Sequence, residues 1–200
     1  MSASERSPLP PAQSPPKKAH GPVLVRVAMI AGAVIVSLRV FGLIQPFSVH
    51  AGSMTPAISR GDHFVMEGFT FLARRPGRGD IIVMRTEGIP SLPAGGIYIK
   101  RIVGQPGDRL RMDGGKLYVN DTHVPFANKV GEIHYVFLPN SSYLASSSDT
   151  ATVPDGHYFV LGDNSADSAD SRIWGFVPAK NIIGRASFCY WPPARIGSVK

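Results

Sequence analysis

Residues 27–44 form an apolar run broken only by Ser37 and Arg39, and this run limits the possible folds more than any other stretch. Its length approaches the ~20 residues that a bilayer-spanning helix needs. Three structures could take it: a cleaved signal peptide, a helix buried in a soluble core, or a retained membrane anchor. A cleaved signal needs small residues just beyond the apolar region, whereas residues 41–49 are bulky apart from Gly42 and Ser48. A core helix needs a partner helix, and no later stretch reads as one. Arg39 would be costly at mid-bilayer, but near the end of the run its guanidinium reaches the interface. The retained anchor, over residues 23–45, is the favoured reading.

Ahead of it, residues 1–22 hold Pro8, Pro10, Pro11, Pro15, Pro16 and Pro22 among Ser and Lys. Such a composition cannot bury a core, so a disordered tail is expected there. Lys17, Lys18 and Arg26 precede the apolar residues. The positive-inside rule then puts the N-terminus in the cytoplasm and everything after Gln45 on the outer side. The net charge of +7 is concentrated in this leading part, where Arg6, Lys17, Lys18, Arg26 and Arg39 face Glu5 alone. That placement favours a membrane surface over a nucleic-acid groove, and no basic stripe with interleaved aromatics suggests nucleic-acid binding.

After Pro46 the pattern becomes β. Runs of β-branched and aromatic residues recur at 63–66, 80–85, 97–103, 109–112, 116–119, 158–161 and 181–190, between turn signals supplied by 21 Gly and 18 Pro. Asp113-Gly114-Gly115, between two alternating runs, predicts a hairpin. Residues 121–155 are rich in Asn, Ser and Pro and read as an insertion or subdomain on the β core. The expected architecture is mainly β: an antiparallel catalytic domain over 46–200 preceded by one N-terminal transmembrane helix. The single cysteine, Cys189, excludes an intramolecular disulfide, and no close His/Cys pairing predicts a metal site. No cofactor is implied.

Gly52-Ser53-Met54-Thr55-Pro56 offers a serine in a turn just beyond the anchor. A serine hydroxyl needs a base to become a nucleophile. His50 is nearby in sequence, yet no acidic residue is placed to orient it as a triad would require. Lys100 lies inside a predicted strand, where it alternates with Tyr98 and Ile102 on one face. If that face packs inward, lost hydration lowers the lysine pKa by as much as ~3–5 units and leaves a neutral amine able to take a proton. If it faces outward, Lys100 is an ordinary surface lysine. Residue types alone leave both readings open.

The order of motifs adds a resemblance. Residues 39–56, RVFGLIQPFSVHAGSMTP, look like the anchor-to-nucleophile segment of bacterial type I signal peptidases, the Ser-Lys dyad serine protease family. Residues 79–85, GDIIVMR, resemble that family's next box, and residues 98–108, YIKRIVGQPGD, resemble the box carrying its general-base lysine. Residues 162–178, GDNSADSADSRIWGFVP, are similar to its last box, and the likeness continues through residues 181–186.

The resemblance implies a signal-peptidase and LexA-like β fold, Ser53 as nucleophile and Lys100 as general base. It implies that Ser168 hydrogen-bonds and positions Lys100, that Asp170 and Arg172 form a supporting ion pair, and that Asp163 and Asn164 help hold the same loop. Met54, Ile58, Val49, Ala51, Tyr98 and Ile99 correspond to substrate pockets, with Phe47 bordering the subsite for the second small residue. The implied substrates are signal peptides of exported preproteins with Ala-X-Ala type sites, cut near the translocon at the bacterial inner membrane. Phe47 and Trp191 are expected to meet membrane lipid.

This sequence departs from the family pattern in three places. Ala51 stands where a serine hydroxyl often helps bind the oxyanion, Ser165 where arginine usually follows GDN, and His50 where proline is typical. A self-cleaving repressor of the LexA type shares the dyad and the fold, but carries a DNA-binding helical domain where this chain has its apolar run. A peptidase specialised for conjugative pilins and a catalytically impaired, membrane-tethered β binding module are the remaining alternatives.

Overall fold

The computed structural model describes residues 21–200, and the chain divides into two units at Ser37 and Leu38. The tail expected over 1–22 lies outside the described residues except for its last two positions, which open α1 (Gly21–Val40). The stretch Val23–Val40 is long and apolar enough to cross a membrane. The expected anchor ran to residue 45, but the helix stops at Val40 for a local reason. Gly42 takes φ +70°, its N–H reaches Arg39 O at 3.0 Å, and Leu43 N–H reaches Leu38 O at 2.8 Å. These two bonds form the helix-terminating Schellman motif, with glycine at the left-handed position.

Fourteen strands follow among the described residues. In order they are β1 (Ile44–Ser48), β2 (His63–Glu67), β3 (Ile81–Arg85), β4 (Ile97–Gly104), β5 (Arg109–Asp113), β6 (Lys116–Val119) and β7 (Thr122–His123). Then come β8 (Ala127–Asn128), β9 (Gly131–Glu132), β10 (Thr150–Thr152), β11 (His157–Leu161), β12 (Val177–Pro178), β13 (Ile182–Trp191) and β14 (Gly197–Ser198). The main sheet runs β1-β2-β13-β3-β4-β11-β12, with β14 also on β13, and every pairing is antiparallel. A second sheet runs β10-β5-β6-β7, and β8 pairs with β9. At the predicted hairpin Asp113 faces Lys116, and Gly114 and Gly115 both take positive φ, as a two-residue type I′ turn requires.

Residues of the expected insertion over 121–155 share a sheet with earlier strands. β7 and β10 complete a sheet whose centre is the earlier β5–β6 hairpin. The alternating inward residues Leu110, Met112, Leu117 and Val119 bury against Phe126, Ile133 and Leu144, and also against Val103, Phe159 and Leu161 of the main sheet. One apolar cluster thus spans both sheets. Two others fill the main sheet: Val49, Met54, Ala57, Ile58, Phe64, Met66, Ile81, Val83 and Ala186 in one, and residues including Ile82, Met84, Ile102, Val160 and Trp174 in the other. Between β1 and β2 lies the turn that carries Ser53. Between β11 and β12 lies the loop 162–176, with the short helix α2 (Ser171–Trp174).

Candidate active site

Ser53 sits on a turn pinned from several sides. Val49 N–H donates to Asp62 O and Gly61 N–H to Val49 O, both at 2.9 Å, closing the β1–β2 connection at its base. Met54, Ala57 and Ile58 then bury from the turn into the core, leaving Ser53 at its partly exposed edge. Far along the chain, Arg195 donates through Nε to both Asp62 carboxylate oxygens, at 2.7 and 2.9 Å, and through Nη2 to Pro56 O at 2.9 Å. Asn164 completes the clamp: its N–H donates to Ser53 O at 3.0 Å and its Nδ2 to Gly52 O at 3.3 Å.

β4 delivers Lys100. Its neighbours on the same face are Tyr98 and Ile102, and across the ladder it faces Ile82. Ile102 and Ile82 are wholly buried, so this face packs inward, and only 4 % of Lys100 remains exposed. The Lys100 Nζ donates to Ser53 Oγ at 2.7 Å. Loss of water is the largest influence on the amine and lowers its pKa to about 8. Asp170 pulls it back up, Arg172 pushes it down and Asp163 pulls it up again. At that value an appreciable fraction is neutral near physiological pH. A neutral amine beside a hydroxyl is an arrangement able to accept the hydroxyl proton as the oxygen attacks.

The loop 162–172 backs this pair. Asp163 accepts two bonds from Arg101, Nε to Oδ1 at 2.8 Å and Nη2 to Oδ2 at 2.7 Å, which ties the loop to β4 one residue beyond Lys100. Asp170 and Arg172 form an ion pair with both side chains wholly buried. Asp170 also accepts from the Gly162 N–H at 3.1 Å. Arg172 donates to Val136 O at 2.6 Å, Ser165 O at 2.7 Å and Ser165 Oγ at 2.9 Å, and Ser165 Oγ accepts from Val136 N–H at 2.9 Å. Ser165, noted as a departure from the family pattern, is therefore built into the hub. Gly162 is required by close approach: a Cβ there would lie 2.5 Å from Ser53 O and 2.2 Å from Ser168 Oγ.

Two expectations are corrected. Ser168 is buried beside Gly162 and Ser53, but its Oγ makes no hydrogen bond; the bond of Lys100 Nζ runs to Ser53 instead. Ile58 does not line the site. It is 1 % exposed, because the turn bond from Ile58 N–H to Met54 O at 3.0 Å directs it into the apolar cluster below. The other expected substrate-facing residues, Phe47, Val49, Ala51, Met54, Tyr98 and Ile99, do share one groove of about 600 Å³ with Ser53 and Lys100. His50 lines that groove too, but the hydrogen bond of Ser53 Oγ runs to Lys100 and not to the imidazole. Ala51 brings no hydroxyl, while among the described residues the Ser53 N–H donates no hydrogen bond and so is available to an oxyanion.

Sequence reasoning missed Arg101, Arg195, and the groove-lining Asp167 and Ala169. A second charge next to Lys100 in a mainly apolar strand was the available signal for Arg101, since a buried guanidinium demands a partner. Nothing local marked Arg195.

A family profile described as "Signal peptidase, peptidase S26" matches residues 23–191. A probable signal peptidase I-2 of Synechocystis sp. is 32% identical over 189 residues, which cover 92% of this chain and 79% of that protein. The signal peptidase I of Leptolyngbya laminosa is 32% identical over 211 residues, covering 100% of this chain and 97% of that one. A probable thylakoidal processing peptidase 2 of Arabidopsis thaliana is 36% identical over 160 residues, 78% of this chain and 41% of that protein.

Proposed function

This chain belongs to the signal peptidase family, peptidase S26, and we propose that it cleaves N-terminal signal peptides from exported preproteins through a Ser53–Lys100 dyad while anchored in a membrane. The observation that carries the dyad is the 2.7 Å bond from Lys100 Nζ to Ser53 Oγ at a lysine almost wholly removed from water.

In this reading neutral Lys100 takes the proton from Ser53 Oγ as that oxygen attacks the scissile carbonyl. The Ser53 N–H faces the developing oxyanion, a role worth on the order of 10²–10³ in rate for a single donor elsewhere. Collapse breaks the C–N bond, and the Lys100 ammonium gives its proton to the departing amine, leaving an acyl-enzyme ester. Lys100 then deprotonates a water, which attacks the ester and restores Ser53 as the proton returns. Asp170, Arg172, Asp163 and Asn164 act by position, holding the loop against the Ser53 turn. The groove walls from Phe47, Val49, Ala51, Met54, Tyr98 and Ile99 suit the small side chains of an Ala-X-Ala site.

α1 supplies the anchor, and the basic residues ahead of it orient the N-terminus to the cytoplasm of a bacterium. Residues 46–200 then work at the outer face of the inner membrane, beside the translocon. Trp191, 53 % exposed near the end of β13, is available to membrane lipid. The test is processing of a preprotein by the detergent-solubilised chain. Wild type cleaves before the mature N-terminus, while Ser53→Ala and Lys100→Met each lose at least 10³-fold in rate. Equal processing by all three would overturn the dyad.

A further inference from the structure

The wall that carries Ser168 has a second face. Beyond residues 166–169 lies a depression of about 260 Å³, whose lining includes Leu138, Pro139, Asn140 and Ile173. It shares Asp167 and Ala169 with the catalytic groove, so the two are continuous across one short ridge. Asp167 is exposed, and among the residues lining either depression it is the one carboxylate. An oxygen of that carboxylate lies 3.8 Å from where a Cβ on Gly52 would sit, one residue before the nucleophile. Among the described residues its side chain makes no hydrogen bond and no ion pair; only its backbone N–H is engaged, to Asn164 O. The other loop carboxylates are spoken for, Asp163 by Arg101 and Asp170 by Arg172.

A carboxylate with no partner in the fold, at the edge of a substrate groove, is free to meet what enters the groove. Resting on the reading of Ser53 as nucleophile, the acyl half of the substrate stays in the groove walled by Phe47 and Tyr98. The amine half must leave past Ser53 on another side. We propose that the depression beyond the ridge receives the residues that follow the scissile bond, and that Asp167 makes it favour basic and disfavour acidic side chains there. Leu138, Pro139 and Ile173 provide an apolar floor for the stem of a lysine or arginine, whose charge then meets the Asp167 carboxylate. Because the carboxylate is exposed, the selectivity is modest and screened by salt.

The test uses three preproteins identical except for Lys, Gln or Glu at the two positions after the scissile bond, cut by the full-length chain in detergent. At low salt the kcat/KM of wild type for the Lys substrate should exceed that for the Glu substrate by about fivefold, narrowing at 0.5 M salt. Asp167→Asn should bring the ratio close to one, and Asp167→Lys should invert it. Equal kcat/KM for all three substrates with wild type, or a preference that survives Asp167→Asn, would overturn the inference. The wild-type ratio and its salt dependence decide the matter even if a variant fails to fold. Failure to cut even the Gln substrate is a distinct result, and would remove the proteolytic reading and this inference together.

Discussion

A lysine whose native pKa is lowered by burial destabilises the fold whenever it is charged. For Lys100, lowered to about 8, the unfolded chain binds more protons than the native state between pH ~8 and the ordinary lysine value of ~10.4. Stability from this group therefore rises with pH across that window, and below pH ~8 the penalty is fully present at roughly 3 kcal/mol. Lys100→Met removes the penalty and fills the same volume with an apolar chain. Its Tm at pH 7 should be no lower than that of wild type, measured by thermal unfolding; a marked fall would mean that Lys100 is charged and paired. The inward face that buries this residue was readable from its alternation with Tyr98 and Ile102, whereas Ser53 was readable only in the company of the later boxes. Asp167 was not readable, because a carboxylate in a DNS-rich loop looks the same whether it caps a turn or faces a groove.

The loop 162–172 works as one element because its two ion pairs face different neighbours. Arg101 holds Asp163 against β4, and Arg172 ties Ser165 and Asp170 of the loop to Val136 on a separate stretch of backbone. Removing one partner of a wholly buried pair leaves an uncompensated charge, a loss of about 3–5 kcal/mol. Arg172→Met should accordingly lower the Tm by roughly 10 °C or more for a domain of this size, and a shift under 2 °C would contradict a structural role for the pair. The longer strands were legible except β1, whose start the expected anchor absorbed; β5 and β6, for example, follow the alternation of inward Leu110, Met112, Leu117 and Val119 with more exposed neighbours. The two- and three-residue strands β7, β8, β9, β10, β12 and β14 carry too little pattern to be seen in sequence. The helix end at Val40 was missed for a related reason: the apolar run continues past the glycine that terminates it.

For the whole molecule, an apolar N-terminal helix and an antiparallel β unit are stated by the hydropathy and periodicity of the chain. The meeting of Ser53, Lys100 and loop 162–172 is not, because it depends on sheet order: β13 inserts between β2 and β3, and β11 lies beside β4. That order sets a lysine from β4 against a serine on the β1–β2 turn and backs both with a loop leaving β11. Arg195, beyond the last long strand, closes the assembly by gripping the Ser53 turn. The central claim is that a buried, neutral Lys100 is the base for Ser53, and the pH dependence of kcat/KM for preprotein processing by the full-length chain tests it most directly. The rate should rise with pH through an apparent pKa near 8 and be lost at every pH in Lys100→Met. A half-point near the ordinary histidine value of ~6.5, abolished by His50→Ala and untouched by Lys100→Met, would contradict it.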